Sequence, residues 1–203
     1  MLDKLIQDFL IIWATIDPLG TMALFAALTA HLTPEKRKAT AIKAIIYAGS
    51  VLLGAIIVGQ IVLGAMGIRL VSFQLAGGII LFLFGLQMIF GSGSENANRD
   101  SEHDMAVFPL AIPATATPGA ILAVILLTDN NVYPITAQIG TALIMLAVLG
   151  ITLLLLLFSS RIIKAIGLGG ANILTRIMGM VLAALSVELV MNALGVKQWM
   201  PGS

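Results

Sequence analysis

Asp17 and Glu188 are carboxylates set deep in long apolar stretches of this 203-residue chain, where an ionisable side chain is a functional candidate by default. Either could take up a proton. Asp17 belongs to the string Ala14-Thr15-Ile16-Asp17-Pro18-Leu19-Gly20, and one hundred positions later the chain reads Ala114-Thr115-Ala116-Thr117-Pro118-Gly119-Ala120. The hydroxyls of Thr15, Thr115 and Thr117 suit an ammonium group or a freed backbone carbonyl. Gly20, Gly119 and the neighbouring alanines leave room for a small solute. The blander roles are helix capping by Asp17, carbonyl bonding by the threonines, and a protonated Glu188 bonded to a neighbouring helix.

The elements that hold these residues must be helices interrupted at Pro18 and Pro118. Proline removes a backbone donor, clashes one turn back, and pushes its predecessor away from helical dihedrals. It suits the first position of a helix, and Asp or Thr before it suits the N-cap, so each string reads as the start of a second half-helix. Exposed amides there present partial positive charge to a carboxylate, while unwound carbonyls suit an ammonium. A zwitterion would match both. Asp17 lies twelve residues beyond Leu5, which at about 1.5 Å per residue is roughly 18 Å in, near the centre of a hydrocarbon core about 30 Å thick.

Composition sets the class. With 59% hydrophobic and 10% charged residues and a mean hydropathy of +1.06, the chain reads as an all-α membrane protein. A net charge of +1 without a basic patch argues against nucleic acid as a partner. The absence of cysteine excludes disulfides, thiol catalysis and thiolate metal sites. Asp3, Lys4 and Asp8 stand where a secretion signal would carry a basic n-region. No cofactor is implied.

Six stretches are long enough to span a bilayer: roughly 5 to 29, 40 to 66, 70 to 91, 106 to 128, 133 to 158 and 173 to 196. A polar run from Glu95 to Asp104 divides them, giving a first three-helix repeat over 1–91, a linker over 92–105 and a second repeat over 106–203. Pro34 matches Pro134, and Gly78 with Gly179 and Gln87 with Glu188 share an offset of 101. Lys36, Arg37, Lys38, Lys43, Arg99, Arg161, Lys164 and Arg176 fall in or near loops on one predicted side, against Lys4, Arg69 and Lys197 on the other. The positive-inside rule then puts the linker in the cytoplasm and both termini outside. Three helices per repeat make the repeats inverted in topology, the plan of transporters with a midplane site between two discontinuous helices. Glycines such as Gly78 and Gly85, seven apart, mark close helix packing, and small residues on several helices permit a homo-oligomer.

The residues Ile16-Asp17-Pro18-Leu19-Gly20, Ala76-Gly77-Gly78-Ile79-Ile80-Leu81-Phe82, Phe108-Pro109-Leu110-Ala111-Ile112-Pro113 leading into Thr117-Pro118-Gly119, and Arg176-Ile177-Met178-Gly179 together resemble the MarC family of bacterial inner-membrane proteins. The resemblance covers essentially the whole chain. It implies a multi-pass protein of the bacterial inner membrane and proton-dependent transport of small neutral amino acids. The family usually reads Ala-Gly-Pro-Gly in the second break, where this chain has Ala116-Thr117-Pro118-Gly119, so the substrate range is open. A metal-ion or drug exporter is the main alternative, because Asp17, Glu188 and the carbonyls of the breaks could ligate a hard cation. A non-transporting scaffold would leave the broken helices unexplained. An intramembrane protease would need an Asp pair, a Ser with His, or a zinc motif in the spans, and none is written there.

Overall fold

In a computed structural model, which describes residues 2–90, 110 and 115–196, six helices account for the architecture, and no strand occurs among the described residues. They are α1 (Leu2–Ile16), α2 (Pro18–Leu28), α3 (Pro34–Ala65), α4 (Leu70–Phe90), α5 (Pro118–Leu127) and α6 (Ile135–Ala193). The proposed linker, Arg99 and Lys197 lie outside the described residues.

Helix starts follow the capping chemistry. Asp17, Thr33 and Thr117 are N-caps, each followed by proline at the first helical position, and each side chain accepts from an amide three residues on. α3 consequently starts at Pro34, six residues before the apolar stretch at 40, so Lys36, Arg37, Lys38 and Lys43 are helical and not loop residues. α6 likewise runs unbroken through Arg161 and Lys164, where the sequence suggested a loop. Its dihedrals leave the helical region at Gly167, with φ 69° and ψ 169°. That turn divides it into two apolar segments, Ile135–Ala165 and Asn172–Ala193.

Five segments are long and apolar enough to cross a bilayer: α1 with α2 (Asp3–Leu28), α3, α4 and the two segments of α6. α5, at ten residues, is a shorter apolar helix. It is nonetheless the most enclosed element, packed against α1, α3, α4 and α6. Its Ala120 and Val124 join Ile12 and Ile16 of α1, Leu52 of α3 and Met145 of α6 in the largest buried cluster. On α5's other side Leu122 meets Leu81 of α4 and Leu182 of the second α6 segment. A third cluster joins Met22 and Phe25 of α2 to Ala41 and Ala44 of α3 and Leu156 of α6.

Two glycines let α4 and α6 touch at the backbone. A methyl group at Gly85 would lie 2.9 Å from the carbonyl oxygen of Gly179, and one at Gly179 would lie 2.9 Å from that of Gly85. Outward from these contacts the surface is apolar, with Ile57 69% and Ile61 67% exposed, a texture suited to lipid tails and not to water.

Candidate functional site

Asp17 takes φ 49° and ψ 69°, the one positive φ outside glycine among the described residues. Pro18 excludes the right-handed helical region for its predecessor, and Asp is among the residues that tolerate the left-handed one. The chain therefore kinks at a single residue, with helical bonds kept on either side of it: Asp17 N–H donates to the Trp13 carbonyl and Thr21 N–H to the Asp17 carbonyl, both at 3.0 Å. Asp17 Oδ1 accepts from Gly20 N–H at 3.1 Å. Any side chain at Gly20 would collide with the Asp17 carboxylate, so glycine is what lets that group fold over the start of α2.

Hydroxyls satisfy the carbonyls around the kink. Thr117 Oγ1 donates to the Thr15 carbonyl at 2.8 Å and accepts from Ala120 N–H at 2.8 Å. Thr21 Oγ1 donates to the Ile16 carbonyl at 3.4 Å, and Thr15 Oγ1 to the Ile11 carbonyl at 2.8 Å. Thr115 Oγ1 donates to the Leu110 carbonyl at 2.8 Å. The two proline strings thus meet through Thr117 and Thr15, a contact spanning 102 positions. Thr15, Thr115 and Thr117 are buried, and their hydroxyls serve main-chain groups. The kink has little unwound backbone to offer a ligand.

Asp17 and Gly20 also line a cleft of about 380 Å³, together with Thr21 and Leu24 of α2, Phe84, Gln87 and Met88 of α4, and Asn172, Thr175 and Arg176 of the second α6 segment. An acid, a guanidinium and several amide or hydroxyl groups therefore share one recess bounded by Leu24, Phe84 and Met88. Thr15, Thr115, Thr117, Pro118 and Gly119 are not among the lining residues. Pro118 is exposed, while Gly119 is where α5 presses on α4, since a side chain there would run into Leu81. Glu188 is also off the cleft. It is half-buried on α6 and accepts from Asn192 Nδ2 at 3.2 Å.

Nothing in the sequence alone marks Asn172, Thr175, Gln87 or Arg176 as site residues. Polar side chains inside apolar spans are the available signal, but only packing brings them to the same cleft as Asp17.

A helical bundle with a lipid-textured surface and a polar recess at a kinked span defines an integral, multi-pass membrane protein. The chain belongs to the MarC family, described as MarC family integral membrane protein, whose profile it matches over residues 2–200. It is 32% identical over 203 residues to the UPF0056 inner membrane protein YhgN of Escherichia coli (strain K12), covering 99% of this chain and 100% of that one. It is 34% identical over 199 residues to the UPF0056 membrane protein MJ1677 of Methanocaldococcus jannaschii, covering 95% and 97%. A UPF0056 membrane protein of Buchnera aphidicola subsp. Schizaphis graminum is 30% identical over 198 residues, with 98% of each chain covered. No solved structure matches the chain.

Proposed function

We propose that the protein is a secondary transporter, not an enzyme, moving a small zwitterion such as a neutral amino acid through the cleft at Asp17. The observation that carries this reading is the placement of Asp17 and Arg176 on the walls of one recess within a membrane span. A carboxylate can hold an ammonium group and a guanidinium can hold a carboxylate in bidentate fashion. The anionic end of the solute is thereby assigned to Arg176. The half-helix amides are less suited to it, because Gly20 N–H and Ala120 N–H already serve their caps. Arg176 also favours a zwitterion over a divalent metal ion, since a fixed positive charge in the recess opposes cation entry.

The matched caps support two repeats, 1–91 and 106–203; three spans in each would make them inverted in topology, and the positive-inside rule would put the linker over 92–105 in the cytoplasm and both termini outside a plasma membrane. Asp17 with Gly20 and Thr117 with Ala120 are equivalent caps, and Thr29 and Thr128 are equivalent C-caps whose hydroxyls donate to Phe25 and Val124 carbonyls at 2.6 Å. Alternating access then opens the Asp17 recess to each side in turn. Proton coupling falls to Asp17, which faces the solute, in preference to Glu188.

Thermal stabilisation of the purified protein against alanine, glycine, divalent cations and hydrophobic drugs tests the reading, because a ligand selective for the folded state raises the melting point. Alanine or glycine should raise Tm in the native protein and not in Arg176→Gln. A shift with divalent cations alone would replace the amino-acid reading with that of a metal exporter.

A further inference from the structure

At the other end of α1, nine residues from Asp17, a second ionic cluster is buried between α1, α5 and α6. Lys4 Nζ lies 2.6 Å from Asp8 Oδ2, 3.0 Å from Thr141 Oγ1 and 3.4 Å from the Leu127 carbonyl oxygen, and 4.2 Å from the centre of the Tyr133 ring. Asp8 is 1% exposed and Thr141 is fully buried, whereas the Lys4 side chain keeps 20% of its surface. Thr141 Oγ1 in turn donates to Asp8 Oδ2 at 2.6 Å.

Each group around the ammonium favours a positive charge. Asp8 is a carboxylate, Leu127 ends α5 and so presents the negative pole of that helix, Thr141 offers a hydroxyl oxygen, and Tyr133 offers its ring face. Asp129, the other buried acid near this end, accepts instead from the Asn131 backbone and side chain at 2.9 and 3.1 Å. One oxygen of the cage is left over: Asp8 Oδ1 is buried and has no hydrogen-bond partner among the described residues. Lys4 cannot serve it, because its three N–H donors already face Asp8 Oδ2, Thr141 Oγ1 and the Leu127 carbonyl.

We propose that this cage is a binding site for a small monovalent cation of the sodium type, with Lys4 as a tethered competitor that occupies it when the ion is absent. A spherical ion places no limit of three directed donors on its ligands, so it can take both oxygens of Asp8 together with Thr141 Oγ1 and the Leu127 carbonyl. Charge fixes the valence. One positive charge balances Asp8 as Lys4 does, while a divalent ion would leave a buried excess of one. The partly exposed Lys4 side chain gives the ammonium a way out to solvent and the ion a way in. Binding of this ion does not depend on the transport reading; its use as a coupling ion would.

Lys4→Ala removes the competitor and keeps the oxygens. Its Tm should rise by about 2 to 4 °C when sodium chloride replaces choline chloride at equal ionic strength, and Asp8→Asn in the same background should abolish the rise. The native protein supplies a second measurement that needs no variant: acylation of Lys4 by an amine-reactive reagent, followed by mass spectrometry, should quicken severalfold with sodium and not with choline. Equal Tm of Lys4→Ala in both salts, or Lys4 acylation indifferent to sodium should that variant fail to fold, would overturn the proposal. Either result leaves the alanine and glycine experiment at Asp17 unaffected.

Discussion

Asp17 ends α1, caps α2 and faces the cleft, and substitutions can separate these duties. Asn is an equally good N-cap and tolerates the left-handed region, so Asp17→Asn should keep Tm within a few degrees of native while abolishing stabilisation by alanine. Asp17→Ala should lose about 1–2 kcal/mol, combining a lost cap with the cost of positive φ for an ordinary side chain. Differential scanning fluorimetry with and without ligand distinguishes the two. If the Asn variant binds alanine like the native protein, Asp17 only caps. The capping duty of Asp17 was legible in the sequence, because Asp before proline suits an N-cap, and its place on the cleft wall follows from where α2 packs. Arg176 and Gln87 carried no such local signature. They lie at least 70 positions from Asp17, and they share a cleft with it only once α2, α4 and α6 are packed. Lys4 and Asp8 stand at helical i, i+4 spacing in the sequence, yet nothing local told that the pair is enclosed by Thr141 and Leu127.

At the level of helices, α5 is held at its start by one hydroxyl with two partners. Thr117→Val should cost about 1–3 kcal/mol, through the lost cap on Ala120 N–H and the unsatisfied Thr15 carbonyl. Because Thr117 stays out of the cleft, the ligand affinity of the folded fraction should change little; a calorimetric titration reads both. A large loss of affinity without loss of stability would return Thr117 to the binding site. The α4 and α6 contact makes a second case. Gly85→Leu drives a side chain into the backbone of Gly179 and Ala183 and should destabilise by about 1–3 kcal/mol or more, read as a lowered Tm. Gly54, which has open space around it, should accept alanine with little change. The seven-residue spacing of Gly78 and Gly85 did indicate close packing, and both meet the second α6 segment, but spacing records a helix's own turns and does not say which element lies opposite.

Taken whole, the molecule has two chemically distinct ends. Arg37 of α3 reaches Ser159 and Ser160 of α6, bringing Lys36, Lys38, Arg161 and Lys164 toward one end, while Lys4, Gln60 and the Leu127 to Tyr133 region form the other. The class of the protein and most of its spans were legible because hydropathy and proline chemistry act locally. The helix ends were less so. Arg161 reads as a loop residue until Ser159 and Ser160 are seen bonded to Arg37 within a continuing helix.

Gly167 has a consequence on this largest scale. Drawn straight, the 59 residues of α6 would run about 90 Å, three times the thickness of a hydrocarbon core. The turn that makes the stretch two membrane-sized rods uses dihedrals that only glycine adopts readily. A hydrogen atom where any other residue carries carbon therefore keeps two bilayer-length segments from fusing into one overlong rod, and any side chain at this position would strain the turn that separates them.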